Sequence, residues 1–260
     1  MLKFLSNIKY FNKLYKKYEL NRIKNMPRFR ESSTNLLGNK IEFPDSASFI
    51  FMYKDIIKKE NYKFYTDNAI PYIIDAGANI GLSIIYLKKL YPKSEIVAFE
   101  PDFLISEFLE NNINSFNLDN ISIIKKALWS KDGYKKFYSQ GADGGSFENV
   151  KENKDINEVE TVRLRNYIDR KVDFLKIDIE GAETDVLKDC QDLLLNVENL
   201  FVEYHSFVDK PQTLHLILEI LHKNGFRVHV HPELISRTPF IKRRTLAKFD
   251  LQLNIFAYRN

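Results

Sequence analysis

The chain has 260 residues, of which 44% are hydrophobic and 28% charged, and its net charge at pH 7 is +4. This length suffices for one large domain with a full hydrophobic core. No uncharged apolar run reaches the roughly 18 residues that a membrane-spanning helix needs, so we expect no transmembrane segment. Cys190 is the single cysteine and can form neither an internal disulfide nor a zinc cluster, which favours a reducing compartment such as the cytoplasm.

Positive charge is concentrated in the first 30 residues, which hold nine basic residues and one acid, a balance of +8. Apolar and aromatic residues recur there at spacings of four and three, which predicts an amphipathic helix ending near Met26. Its apolar stretches are too short for a secretory signal. The residues on the apolar face are Phe4, Ile8, Phe11, Tyr15 and Tyr18.

We therefore expect residues 1–45 to form a basic helical extension, with a polar loop at residues 31–39. Two uses of the helix fit its composition. Its aromatic face packs on the body or on another subunit of a homo-oligomer, or the helix lies on the anionic inner face of a membrane.

Residues 46–260 alternate between short apolar runs and segments of helical period, after a first helix over residues 47–60. This alternation predicts an α/β domain with a mostly parallel sheet and helices on both faces. The predicted strands are Tyr72–Asp75, Glu95–Phe99, Ile121–Leu128, Lys135–Tyr138, Val172–Ile177, Leu200–Tyr204, Arg227–His231 and Asn254–Tyr258. The predicted helices are Leu82–Leu90, Phe103–Phe116, Thr184–Asp192 and Thr213–Asn224.

A glycine-containing turn follows the first of these strands. Gly77 and Gly81 let the backbone approach a ligand at the carboxyl edge of the sheet, where open α/β folds bind nucleotide-like cofactors. The Gly-x-x-x-Gly spacing and the preceding Asp75 argue against a dinucleotide, because an acid would repel its pyrophosphate. The turn therefore favours a cofactor that carries positive charge, and Glu100 after the next strand is placed to accept both hydroxyls of a ribose.

A second group of acids lies at the end of a later strand. Asp178 and Glu180 alternate with apolar residues, Gly181 permits a sharp turn, and Glu183 begins a helix. So many acids at one edge require a cation among them, which is the cofactor's amino group, a divalent metal ion, Lys176 or a nearby arginine. For Glu183 a simple helix-stabilising role is equally compatible with the sequence.

The following strand carries Glu203 and His205 on the same side. A histidine there can act as a general base, and Asp178 and Glu203 are the residues that would hold Mg²⁺ if a metal is used. His229 and His231 have no third ligand nearby in sequence, and His215 and His222 lie along a helix, so these four are expected to be structural. The glycine-rich segment 139–145 is a candidate acceptor loop.

Together these motifs resemble the FkbM family of S-adenosylmethionine-dependent methyltransferases. The resemblance rests on Asp75-Ala-Gly-Ala-Asn-Ile-Gly81, Phe99-Glu-Pro-Asp102, Lys126-Ala-Leu128, Leu175-Lys-Ile-Asp-Ile-Glu-Gly-Ala-Glu183 and Glu203-Tyr-His205. It covers roughly residues 46–230 and implies the class I methyltransferase (Rossmann-like) fold, with a seven-stranded sheet whose last strand is antiparallel.

The resemblance also implies where S-adenosylmethionine would bind. The glycine-loop residues would line its methionine part, Glu100 its ribose, and Asp178 its amino group or the transferred methyl group. The cofactor-binding positions carried over are Asp75, Gly77, Ala78, Asn79, Gly81, Glu100, Pro101, Ala127, Leu128 and Asp178.

The implied activity is O-methylation of a hydroxyl, on a sugar of a glycan or glycolipid or on a natural product. The candidate catalytic residues are His205, as the first choice of base, and Asp178, Glu203 and Glu180. A dehydrogenase is disfavoured by Asp75. A nucleic-acid methyltransferase is disfavoured by the acidic body and by the sequence Asp178-Ile-Glu-Gly181, which stands where an Asn/Asp-Pro-Pro-aromatic element would be expected. A non-catalytic module that binds S-adenosylmethionine remains a further alternative.

Overall fold

A computed structural model of the chain describes residues 2–138, 156–246 and 248–259, without the side chains of residues 2–12 and Ile156. In this part of the chain, no helix combines the length and the apolar character needed to cross a bilayer.

The N-terminal segment forms a long helix and a small hairpin. Helix α1 (Leu2–Lys24) confirms the predicted basic helix and is followed by strands β1 (Ser32–Thr34) and β2 (Ile41–Phe43), which pair in antiparallel fashion. The predicted loop at residues 31–39 is therefore wrong for β1, which is only three polar residues long and is a strand because it pairs with β2. Helix α2 (Ser46–Met52) begins where Asp45 accepts a hydrogen bond from the backbone of Ser48, and it continues as a π-helical segment, Tyr53–Lys58.

The body alternates strands and helices as the sequence predicts. In chain order its elements are β3 (Tyr72–Ala76), α3 (Leu82–Leu90), β4 (Glu95–Phe99), α4 (Phe103–Ser115), β5 (Ile121–Ile124), β6 (Ala127–Leu128), β7 (Gly133–Tyr138), β8 (Ile156–Val162), β9 (Val172–Ile177), α5 (Glu183–Cys190), β10 (Val197–Phe207), α6 (Leu214–Lys223), β11 (Arg227–Leu234) and β12 (Phe249–Tyr258). Short 3-10 segments lie at Leu164–Tyr167 and Gln191–Asn196.

The main sheet has seven strands in the order β11-β12-β10-β9-β3-β4-β5. Strand β12 is antiparallel to both of its neighbours, whereas β3, β4, β5, β9 and β10 run parallel. This order, with its single antiparallel strand last in sequence, is the class I methyltransferase topology, so the predicted fold class is confirmed. The sheet places the carboxyl ends of β3, β4, β9 and β10 side by side.

The predicted strand Ile121–Leu128 is wrong in its second half. Strand β5 ends at Ile124, and β6 leaves the main sheet to pair with β8 in a separate three-stranded sheet of order β6-β8-β7. Strand β6 leaves the main sheet because its partner β8, which was not predicted, lies about thirty residues further along the chain.

Alternating residues of the central strands feed two hydrophobic clusters, one on each face of the sheet. Ile73, Phe174 and Phe201 pack on the face covered by α2, α3 and α4, whereas the adjacent residues of the same strands pack on the face covered by α5 and α6. Residues of the N-terminal segment, including Ile23 and Phe43, are buried in the first cluster.

Candidate active site

A cavity of about 480 Å³ opens at the carboxyl ends of β3, β4, β9 and β10. It brings together most of the predicted site residues although they come from four separate strand ends. The predicted residues on its wall are Gly77, Ala78, Asn79, Glu100, Pro101, Ala127, Leu128, Asp178, Glu180, Glu203 and His205. Asp75 and Gly81 do not line it, and the candidate acceptor loop, residues 139–145, lies outside the described residues.

The turn after β3 packs closely against the end of β9. Gly77 has φ +94°, and a Cβ placed on it would lie 1.9 Å from the carbonyl oxygen of Asp178. Only glycine fits this position without moving one of the two strands. Gly81 has a different role, because a Cβ there would lie 2.6 Å from Leu109 Cδ1, so this glycine lets α3 pack on α4.

A buried lysine neutralises the acids behind this turn. Lys176 Nζ lies 3.3 Å from Asp75 Oδ1 and 3.4 Å from Asp178 Oδ2, and it donates a hydrogen bond to the Gly77 carbonyl at 2.6 Å. Burial alone would lower the pKa of Lys176, but the carboxylates of Asp75, Asp178 and Glu203 raise it above its usual value. The cation that Asp75 faces in the structure is therefore Lys176, and the predicted contact of Asp75 with the cofactor stays a prediction.

Glu100 is held at the rim of the same turn by two backbone amides. The Asn79 N–H donates to Oε2 at 3.0 Å and the Asp102 N–H donates to Oε1 at 2.9 Å. Burial, reinforced by the nearby charge of Asp102, raises the pKa of Glu100 to about 8. Each carboxyl oxygen retains acceptor capacity for a further donor from the cavity.

His205 is oriented by Glu183. Its Nδ1 lies 3.1 Å from Glu183 Oε1, and that oxygen also accepts hydrogen bonds from the backbone N–H groups of Gly181 (3.0 Å) and Ile179 (3.3 Å). Both His205 and Glu183 are almost fully buried. Glu183 is therefore more than a helix-stabilising acid, because it fixes the ring of the histidine that lines the cavity.

The other ring nitrogen of His205 faces further carboxylates. Nε2 lies 3.6 Å from Glu180 Oε2 and 4.0 Å from Glu203 Oε1. The Gln252 side-chain amide donates a hydrogen bond to Glu203 Oε1 and lies 3.3 Å from His205 Nε2. Burial would lower the pKa of His205, but Glu180, Glu183 and Glu203 together raise it well above the usual value. Burial, with Asp178 and Glu180 nearby, also raises the pKa of Glu203. His205 and Glu203 thus titrate as an interacting pair.

Glu180 adopts a left-handed backbone conformation, φ +54°, directly before Gly181, φ +100°. Such a conformation is costly for a residue with a Cβ and persists where the surroundings impose it. Here it turns the chain sharply after β9 and brings the Glu180 carboxylate back to His205.

Within the described residues, one group of three potential metal ligands occurs, formed by Asp178, Glu203 and His205, whose ligand atoms lie within 4.8 Å of one another. All three side chains already have partners, since Lys176 contacts Asp178 and Gln252 contacts both Glu203 and His205. Magnesium binding therefore stays a prediction. His229 stacks on Tyr258, His231 contacts the tilted ring of Phe256, and neither belongs to such a group among the described residues.

Several side chains of the site could not be found by sequence reasoning. Gln252 is the antiparallel partner of His205 across β10 and β12, a register that the sequence does not reveal. The apolar wall comes from segments far apart in the chain, because tertiary packing assembles it. Its members include Phe51, Met52, Tyr62, Phe99, Phe137 and Phe249.

Comparison with known proteins agrees with this geometry. The family model described as "Methyltransferase FkbM domain" matches residues 75–228, which include each of the acidic residues discussed above. "Methyltransferase sdnD" of Sordaria araneosa is 29% identical over 174 residues, covering 53% of this chain and 67% of that protein. "2-O-methyltransferase NoeI" of Sinorhizobium fredii is 25% identical over 174 residues, covering 58% and 71%.

A solved structure, methyltransferase FkbM from Methylobacillus flagellatus, matches with a TM-score of 0.46 and 16% identity over 74% of this chain and 45% of that longer chain. The strand order above, and not this distant likeness, identifies the fold.

Proposed function

Because the chain belongs to the FkbM family of S-adenosylmethionine-dependent methyltransferases, we propose that it methylates a hydroxyl oxygen, on a sugar of a glycan or glycolipid or on a natural product. The observation that carries the proposal is the ring of His205, held by Glu183 at one nitrogen and presented to Glu203 and Glu180 at the other. Such a group of acceptors suits a hydroxyl donor that must lose its proton.

The cavity fits S-adenosylmethionine in its chemistry. The Gly77 turn leaves its inner surface free of a side chain, Glu100 offers two acceptor oxygens suited to a ribose diol, and Ala127 and Leu128 supply an apolar wall suited to adenine. Beside the turn, Asp178 and Glu180 provide the negative charge that an ammonium and a sulfonium require. When bound, the cofactor supplies an electrophilic methyl group.

The residues of this chain would then align the acceptor and take its proton. Glu203 and Glu180 accept hydrogen bonds from the acceptor's hydroxyls, which orients one oxygen for in-line attack. The proton of that hydroxyl passes to the His205 and Glu203 pair, and Glu183 stabilises the imidazolium whenever the ring holds it. A raised pKa makes ionised Glu203 a stronger base than an ordinary carboxylate, so the base is shared by His205, the first choice from the sequence, and Glu203, one of the other candidates.

The acceptor's charge is limited by the same geometry. Asp178, Glu180 and Glu203 lie together at the wall, and the chain after residue 30 holds 34 acidic residues against 30 lysines and arginines. A phosphate placed beside these carboxylates would be repelled. This supports a neutral or cationic sugar, and not a nucleic acid, as the acceptor that carries the hydroxyl.

The proposal is tested by incubating the protein with radiolabelled S-adenosylmethionine and fractionated pools of glycans, lipid-linked sugars, small metabolites and RNA. We expect label in a sugar or other hydroxyl-bearing fraction, as an ether that survives mild alkali, which would release a methyl ester. Label only in RNA, or only in an alkali-labile ester, would contradict the proposal. A parallel reaction with EDTA tests the predicted magnesium dependence.

The variant Glu203→Gln separates an enzyme from a binding module. It keeps the size of the side chain but removes its charge, so we expect cofactor binding close to that of the wild type and methyl transfer reduced at least 100-fold. If the biological activity is unchanged in this variant and in His205→Asn, the chain acts as a non-catalytic module.

A further inference from the structure

An open groove of about 780 Å³ lies between the second half of α1 and the continuous helix formed by α2 and its π-helical segment. Leu14 and Tyr18 of α1 and Ile50 and Tyr53 of α2 and the π-helical segment supply its apolar surface. We call this surface the basic groove because four lysines also line it. They are Lys17, Lys24, Lys54 and Lys58.

In the part of the chain that the structure describes, acidic side chains do not neutralise the charge of the four lysines. None of them forms an ion pair among the residues that the structure describes, although Lys58 lies over the Tyr53 ring at 5.6 Å. The acids nearest to them in sequence already have partners, since Glu19 binds Arg22 and Asp55 binds Lys59. The basic groove therefore presents uncompensated positive charge.

The same part of α1 exposes apolar side chains. Tyr18 is 69% exposed, Tyr15 46% and Leu14 44%. Tyr15 and Tyr18 are therefore not buried against the body of the same chain, whereas the predicted packing on another subunit stays a prediction. Exposed tyrosine and leucine beside lysines are typical of helices that lie in a membrane interface.

The rest of α1 strengthens this charge. In the sequence, Lys3, Lys9, Lys13 and Lys16 belong to the same helix, which has Glu19 as its single acid. Negatively charged lipid attracts each lysine near its surface, and an apolar surface adds burial in the headgroup region. Charge complementarity thus identifies the occupant as an anionic bilayer surface.

We propose that the basic groove and the exposed part of α1 dock the protein on an anionic membrane. One helix joins the groove to the active site, because Ile50 and Tyr53 line the groove whereas Phe51 and Met52 line the cavity. Docking therefore holds the cavity close to the bilayer. Docking does not depend on the proposed function. Its consequence, a preference of the enzyme for a lipid-linked acceptor, does rest on the proposed function.

Co-sedimentation with vesicles tests the docking. The intact protein is mixed with vesicles of pure phosphatidylcholine or of phosphatidylcholine with 30% phosphatidylglycerol, at low salt and at about 0.5 M NaCl, which shortens the screening length severalfold. We expect binding to the anionic vesicles only, and its loss at high salt. The variant Lys17→Glu/Lys54→Glu/Lys58→Glu should lower vesicle affinity at least about 100-fold.

A matched variant controls for total charge. Lys89→Glu/Lys93→Glu/Lys188→Glu changes three exposed lysines away from α1 and α2 by the same six charge units, and it should retain most of the binding. Circular dichroism of both variants checks the fold. Absence of binding to anionic vesicles, equal binding by the groove variant, or equal loss in the control variant would each overturn the proposal. The proposal would also be overturned if the wild type forms a dimer without lipid and the groove variant, unlike the control variant, is monomeric. The groove would then bind a second copy of the chain.

The docking result is independent of the enzyme's chemistry. Calorimetric titration of the groove variant with S-adenosylmethionine should give the wild-type affinity, because none of the three lysines lines the cavity. Vesicle binding with no cofactor binding would therefore refute the proposed function and leave docking intact, and the reverse result would refute docking alone.

Discussion

Replacing Gly77 by alanine should disrupt the point on which the cavity is built. The added Cβ would lie 1.9 Å from the backbone oxygen of Asp178, whereas ordinary contacts begin at 3.4 Å, so β3 and β9 would have to separate locally by roughly 1.5 Å. Gly77 and Asp178 directly follow β3 and β9, and their backbone N–H groups donate to the carbonyls of Phe99 and Ala76, so neither segment can move aside as a flexible side chain would.

The expected cost has two parts. The backbone at Gly77, φ +94°, is unfavourable for alanine by about 1–3 kcal/mol, and overpacking adds about 1–3 kcal/mol. We expect a total loss of about 3–5 kcal/mol in the free energy of unfolding, measured by urea denaturation followed by far-UV circular dichroism. In the fraction that stays folded, S-adenosylmethionine should bind at least tenfold more weakly.

Gly38→Ala is the matched control. Gly38 has a similarly unfavourable φ of +114°, but a Cβ there meets nothing within 4 Å. It therefore carries the backbone cost without the collision, and we expect it to be more stable than Gly77→Ala by about 2 kcal/mol. Equal stabilities of the two variants, together with unchanged cofactor binding by Gly77→Ala, would refute the reasoning.

Three further changes test the acids and the lysine of the site. Glu100→Gln should weaken S-adenosylmethionine binding about 10- to 100-fold. Glu100 has a pKa of about 8 and is largely protonated at pH 7, so the wild type should release a proton when the cofactor binds and the variant should not. Calorimetry in buffers of different ionisation enthalpy measures both effects, and wild-type binding without proton release would contradict the assignment. Glu183→Gln should lower kcat at least tenfold with little change in KM. Because the Glu183 carboxylate raises the pKa of His205, the variant should also move the acidic limb of the pH–rate profile to lower pH. An unmoved limb would assign Glu183 a purely structural role. Lys176→Met should cost about 3–5 kcal/mol of stability, because it leaves buried carboxylates without a counter-charge. Lys171→Met, which breaks an exposed ion pair at a lysine side chain that is 66% exposed, should cost at most about 1 kcal/mol. Thermal denaturation compares the two variants, and equal losses would argue against the buried charge network.

Local signals in the sequence are sufficient for the central sheet. Strands such as Glu95–Phe99 and Val172–Ile177 have the predicted bounds, because short apolar runs between turn residues allow few alternatives. Strands β1, β6 and β8 could not be assigned in the same way. Strand β1 is only three polar residues long, β6 and β8 pair with each other across about thirty residues, and β8 is rich in acidic and polar residues.

For the candidate site, the sequence predicts which acids meet and not how they are paired. Parallel strands end at one edge, so Asp178, Glu203 and His205 can be expected together. That Lys176 faces Asp75, and that Glu183 holds His205, depends on side-chain directions and on the left-handed turn at Glu180. These are three-dimensional facts with no periodic signature in the chain.

The central claim is that the cavity at the ends of β3, β4, β9 and β10 binds S-adenosylmethionine for methyl transfer. Calorimetric titration of the intact protein with S-adenosylmethionine, S-adenosylhomocysteine and NAD tests it most directly. We expect each adenosyl ligand to bind at one site per chain, and each to compete with the other. Both should bind more weakly to Glu100→Gln, and NAD should not bind. Absence of binding by either adenosyl ligand, or tighter binding of NAD, would contradict the claim.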